Sequence, residues 1–119
     1  MSSSGYPRDL NEALGRKRCT FKPGVLVAVR RFKRTHPWKG TDEERLTKLR
    51  CFNEELAAVY GIPAPGVWFT PGPWVNGMYN QNTNNIFLYG KLSVVTFLHE
   101  FAHARGMGER GACRWSLNL

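Results

Sequence analysis

Two histidines four residues apart, with a glutamate directly after the first, stand in the stretch Val94-Val95-Thr96-Phe97-Leu98-His99-Glu100-Phe101-Ala102-His103. On a helix this spacing puts His99 and His103 on one face, one turn apart, where both imidazoles can reach a single metal ion. Zinc is the expected ion, because neutral imidazole suits it and a catalytic site needs only three protein ligands and a water. Glu100 is then placed to take a proton from that water as general base. The expected chemistry is metal-assisted hydrolysis, foremost of a peptide bond. The bland alternative is a helix whose two histidines only form hydrogen bonds. Leu98, Phe101 and Ala102 weigh against it, since they allow one helix face to be buried while another presents the ligands.

Two histidines leave a catalytic zinc one protein ligand short. Glu109 is the first candidate, six residues beyond His103 and past a bend at Gly106 and Gly108. Cys113 and the remote His36 are the alternatives. Glu109 can also be read as an acid favoured by the dipole at the start of a final helix over 109–117.

The elements that must carry these groups are legible in outline. Thr41-Asp42-Glu43-Glu44 has the form of a capping box, and Leu46, Leu49, Phe52, Leu56 and Val59 continue from it as an apolar stripe to Tyr60. Gly61-Ile62-Pro63 supplies the stop. Val67-Trp68-Phe69-Thr70 reads as a short strand. Turn signals at Asn76-Gly77 and over 80–84 bracket two strands expected to pair antiparallel, Met78-Tyr79 and Asn85-Ile86-Phe87-Leu88-Tyr89. Ser93 is positioned to cap the motif helix and Gly106 to end it. The strand Asn85, Ile86, Phe87, Leu88 and Tyr89 is the expected holder of an extended peptide through main-chain hydrogen bonds, unless it is an ordinary hairpin strand.

With 42% hydrophobic and 13% aromatic residues in 119, the chain can bury one modest core. The expected division is a basic, partly helical N-terminal arm over 1–40 and one domain over 41–119. Residues 1–50 hold thirteen Lys/Arg against five Asp/Glu, whereas residues 51–119 hold four of each, so the net +8 belongs to the N-terminal part. Residues 1–23 read as loose. From Gly24 to His36 the apolar pattern suits either a strand or a helix, and helix is favoured because the mixture runs unbroken up to Pro37. Its cluster Arg30, Arg31, Lys33 and Arg34 can meet phosphates of a nucleic acid or other polyanion, or can be a solvated face. Cys19, Cys51 and Cys113 form no CxxC pair, and neither a signal-like apolar segment nor a membrane-spanning run occurs. An intracellular location with free thiols is expected.

The sequence also resembles the zincin metallopeptidases. His99-Glu100-x-x-His103-x-x-Gly106-x-x-Glu109 is similar to the extended metzincin pattern, with Glu where that family carries His and with no methionine after Met107. It more closely resembles the small gluzincin-like proteins of the ImmA/IrrE-type and SprT-like families. The resemblance covers about residues 42–119 and rests on a helix ending at Tyr60-Gly61-Ile62-Pro63, the strand Asn85-Ile86-Phe87-Leu88, and the motif helix. It implies an α+β fold, a minimal zincin-like arrangement of a small antiparallel sheet, an active-site helix and two or three further helices. It further implies Zn2+ held by His99, His103 and Glu109, with Glu100 as general base and then general acid. Tyr79 or Tyr89 would be the oxyanion donor. SprT-like enzymes act on proteins attached to DNA, which would make the basic arm a targeting device. A reading from a different class is a zinc-stabilised nucleic-acid-binding module without peptidase activity.

Overall fold

Thr41 begins the longest helix as the sequence leads one to expect. Its hydroxyl accepts from the Glu44 N–H at 3.2 Å, and the Glu44 carboxylate accepts from the Thr41 N–H at 2.8 Å. The computed structural model describes residues 23–108. Within them the elements run α1 (Pro23–Arg34), α2 (Asp42–Tyr60), β1 (Gly66–Pro71), β2 (Asn76–Asn80), β3 (Asn85–Gly90) and α3 (Val94–Ala104). The fold is α+β, three helices with a three-stranded mixed sheet. None of the described helices is long and apolar enough to cross a membrane. Of the segment over 1–23 expected to be loose, Pro23 instead opens α1 and residues 1–22 lie outside the described residues, as does the final helix expected over 109–117.

The ambiguous segment after Gly24 is a helix. Val25, Ala28, Val29 and Phe32 are buried at helical spacing, and they pack α1 against α2. One face of α1, within the expected arm, therefore contributes to the core. An aromatic ladder runs across the three helices. Phe32 stacks on Phe52 at 4.3 Å between ring centroids, Phe52 meets Phe97 at 6.0 Å, and Phe97 meets Phe101 at 5.9 Å. Such pairs add roughly 0.5–1.5 kcal/mol each beyond the area they bury.

The strand order is β1-β3-β2. The expected antiparallel pairing holds between β2 and β3, with Met78 opposite Phe87 and Tyr79 opposite Ile86. The sheet is not antiparallel throughout, however, because β1 joins the other edge of β3 in parallel, Val67 opposite Ile86. The reason lies in the connection over 72–75, which passes across the end of β3. At Gly90 a Cβ would collide with the Trp74 carbonyl, and Gly90 has φ +88°. Only glycine tolerates both the contact and the conformation. Pro71 and Asn76 are thereby held apart by one strand width, and β3 fills the gap.

Alternation then sorts the side chains. Val67, Ile86 and Leu88 face the helices and are buried, whereas Trp68, Met78, Phe87 and Tyr89 face the other way. Helix α2 is tied to β1 by Arg50, whose guanidinium donates from Nε and one Nη to the Val67 carbonyl at 3.0 and 2.7 Å. One turn on, Asn53 Nδ2 donates to the Pro65 carbonyl at 2.9 Å.

Candidate metal centre

Helix α3 holds both the core and the motif. Phe97 and Phe101 are fully buried against α2, while His99 and His103 sit two residues further on, about 200° round the helix. The phenyl rings fix the rotation of the helix, and the imidazoles emerge on its other side. Ser93 starts the helix by accepting from the Thr96 N–H at 3.2 Å. At its end Gly106, with φ +92°, donates to the His103 carbonyl, and the Met107 N–H donates to the Ala102 carbonyl. That pair of bonds is a Schellman closure, and it turns the chain back beneath the last helical turn.

The turn has a direct effect on the site. His103 Nδ1 lies 2.9 Å from the Met107 carbonyl oxygen. A carbonyl can only accept, so Nδ1 carries the proton and Nε2 of the neutral ring carries a lone pair. That nitrogen lies 3.2 Å from His99 Nε2. A proton on His99 can bridge the two. A zinc ion can also take both, since Zn–N bonds of about 2.0–2.1 Å in tetrahedral array separate the nitrogens by roughly 3.3–3.4 Å. The agreement is within the tolerance expected of a metal site, and the Met107 carbonyl is the kind of partner that orients a ligating histidine.

Glu100 is buried at the floor of a cleft of about 540 Å³ that Tyr79, Gln81, His103 and Met107 also line. Strand β2 comes down on this carboxylate through Gly77. A Cβ there would lie 2.5 Å from Thr96 Cγ2, 3.2 Å from Glu100 Cγ and 3.4 Å from Glu100 Oε2. The dipeptide Asn76-Gly77 is thus not a turn but the start of β2, and its glycine permits strand and helix to touch. A glycine inside a strand is itself a mark of close backbone approach, a signal the sequence carried. Gln81 and Met107 gave no such sign.

The remaining expectations divide. Among the described residues no group of three or more His, Cys, Asp or Glu side chains converges to hold a metal ion. Glu109 and Cys113 lie outside those residues. His36 does not join the pair; its ring meets Trp38 edge-on at 5.5 Å, in the link between α1 and α2. Tyr79 reaches the cleft, with its hydroxyl donating to Asn84 Oδ1 at 2.8 Å. Tyr89 does not reach it, because strand alternation puts Tyr89 on the sheet face turned away from α3. The expectation that Asn85, Ile86, Phe87, Leu88 and Tyr89 receive an extended peptide is overturned by the strand order. This strand is β3, the central one, and both its edges are already paired. The edge next to the cleft is that of β2. Arg30, Arg31, Lys33 and Arg34 are exposed on α1, and Arg31 donates to Glu55 Oε2 at 2.7 Å. Compared with protein-family models, with characterised proteins and with solved structures, the chain matches none.

Proposed function

We propose that the protein is a zinc-dependent peptidase. The observation that carries this reading is the 3.2 Å approach of two imidazole Nε2 atoms, one with its tautomer fixed by a backbone carbonyl, beside a buried carboxylate in a cleft. His99 and His103 would hold the ion, with the third protein ligand supplied from beyond residue 108, where Glu109 is the first candidate. A bound zinc would supply Lewis-acid polarisation of a carbonyl and a more acidic water.

The chain's own groups do the rest. Glu100 takes the proton from the attacking water and passes it to the leaving amine, which requires a carboxylate held still between the two positions. Gly77 and Thr96 close over it from β2 and the first turn of α3. Tyr79 can donate to a developing oxyanion when its hydroxyl exchanges Asn84 for the substrate. An extended substrate has an edge to pair with in β2, whose far side carries no strand among the described residues.

The test is Glu100→Gln. The amide keeps the volume of the carboxylate and cannot accept the proton. Zinc content measured by atomic absorption should match wild type, while hydrolysis of a fluorogenic casein digest should fall by about 10²–10⁴. Activity within a few-fold of wild type in that variant would remove Glu100 from the mechanism.

A further inference from the structure

Among the described residues the sheet has helices on one face only, and the other face is built of aromatics. Trp68 on β1, Phe87 and Tyr89 on β3 and Met78 on β2 are neighbours in register there, with Trp68 opposite Phe87 and Met78 opposite Phe87 on its other side. Trp68 is 52% exposed, Met78 46% and Tyr89 36%. An exposed Trp usually moves among rotamers, but this one is held. Its Nε1–H donates to Asn85 Oδ1 at 2.9 Å, and the Arg50 guanidinium carbon lies 5.5 Å from its ring centroid. Arg50 is itself locked by its two bonds to the Val67 carbonyl. The result is a rigid aromatic plane with a fixed cation at its rim.

The charge around this plane points to one kind of partner. From residue 56 to residue 99 the chain contains no Asp or Glu and one Lys, so the entire sheet is free of carboxylates, and Arg50 of α2 places a positive charge at its rim. The face also lacks the Leu and Ile anchors that a helix-binding groove would use. Aromatics displayed on a sheet with basic side chains beside them are suited to stacking splayed-out bases, because every base offers a π-face and its phosphate a negative charge.

We propose that this outer sheet face binds single-stranded nucleic acid, with bases stacked on Trp68, Phe87 and Tyr89 and a phosphate against Arg50. The site is separate from the histidine pair, which lies on the helix side of the sheet, and it does not depend on the peptidase reading.

Fluorescence anisotropy of the full chain with labelled twelve-nucleotide oligothymidine and oligouridine, beside a duplex of equal length, tests the proposal. At least one single strand should bind more tightly than the duplex. Trp68→Ala should weaken that binding about five- to hundredfold while leaving the slope of log affinity against log salt unchanged, since stacking releases no counterions. Trp68→Phe should restore most of the loss, which a folding defect would not allow, and thermal melts of both variants report on folding directly. Equal affinity for strand and duplex, indifference to Trp68→Ala, or equally effective displacement of the oligonucleotide by polyglutamate would each overturn it. The last result would assign the face to acidic proteins.

Discussion

The imidazole of His103 is set by a glycine three residues further on. With φ +92°, Gly106 occupies backbone space that L side chains rarely adopt, and it sends the Met107 carbonyl back to His103 Nδ1. Gly106→Ala should cost about 1–2 kcal/mol of stability. Among the described residues nothing lies within 4 Å of the added methyl, so the cost there is conformational rather than steric. Loosening the carbonyl that orients a ligand typically costs 10–100-fold in metal affinity, and a chelator competition titration should read a loss of that order for zinc. Unaltered affinity would mean that His103 is oriented by something other than Met107. A second single-residue effect is set by charge. The Glu44 carboxyl titrates below its ordinary value, first because it accepts from the Thr41 backbone N–H, then from the Thr41 side chain, with Lys48 adding a weaker attraction. A carboxyl whose pKa is lower folded than unfolded binds fewer protons in the native state, so it stabilises above the unfolded glutamate pKa. That contribution is lost as pH falls through the folded value. In urea melts the gap between wild type and Glu44→Ala should therefore be constant at neutral pH and narrow below the ordinary carboxylate range. A gap that widens on acidification would contradict this sign.

At the scale of elements, the decisive contact is β2 against α3. Gly77→Ala puts a methyl 2.5 Å from Thr96 Cγ2, where Thr96 is β-branched and cannot swing clear, and 3.2 Å from Glu100 Cγ. Strand and helix must separate, at about 1–3 kcal/mol for the overpacking. Displacing the Glu100 carboxylate by an ångström should lower turnover by roughly 10²-fold. Steady-state assays and a melting curve on the same preparation separate the two effects, and full activity in a destabilised variant would show that Glu100 does not depend on β2. Helices α2 and α3 were readable in advance because their signals are local, whereas α1, with no capping signal and an apolar pattern that also alternates, read as either strand or helix. Thr41 and Glu44 mark a start, Gly61 a stop, and the apolar periodicity fills the interval. The β2–β3 pairing was readable for the same reason, from the turn over 80–84. Strand order was not, because it depends on the 72–75 connection crossing β3 at Gly90, a contact between Trp74 and Gly90, sixteen residues apart, that no propensity encodes. The misassigned roles of Asn85 to Tyr89 follow from that alone. A strand expected to hold an extended peptide proves to be the centre of the sheet, and Tyr89 turns to the far face through simple alternation.

In the molecule as a whole, core and histidine pair share one helix, so an ion bound at that pair would be coupled to folding. Phe97 and Phe101 tie α3 to Phe52 and Tyr60 of α2, and Phe52 in turn stacks on Phe32 of α1. Any ion that holds His99 to His103 clamps the last turn of α3, and that turn cannot open without loosening this ladder. The motif itself was plain in the sequence because an i, i+4 pair needs only a helix to meet. Its link to global stability was not, since that requires knowing that residues 97 and 101 carry the core at the same helical register. A ligand that binds only the native state stabilises by RT ln(1 + [L]/Kd), about 2.7 kcal/mol at a hundredfold excess over Kd. Titrating the chelator-stripped protein with zinc should raise its melting temperature continuously with free zinc, by several degrees over that range for a domain of this size. His99→Ala and His103→Ala should each melt at a temperature independent of zinc. Magnesium, which prefers oxygen ligands, should leave all three proteins unmoved. A zinc-dependent shift of the same size in both histidine variants would place the ion elsewhere on the chain and detach the metal from α3 altogether.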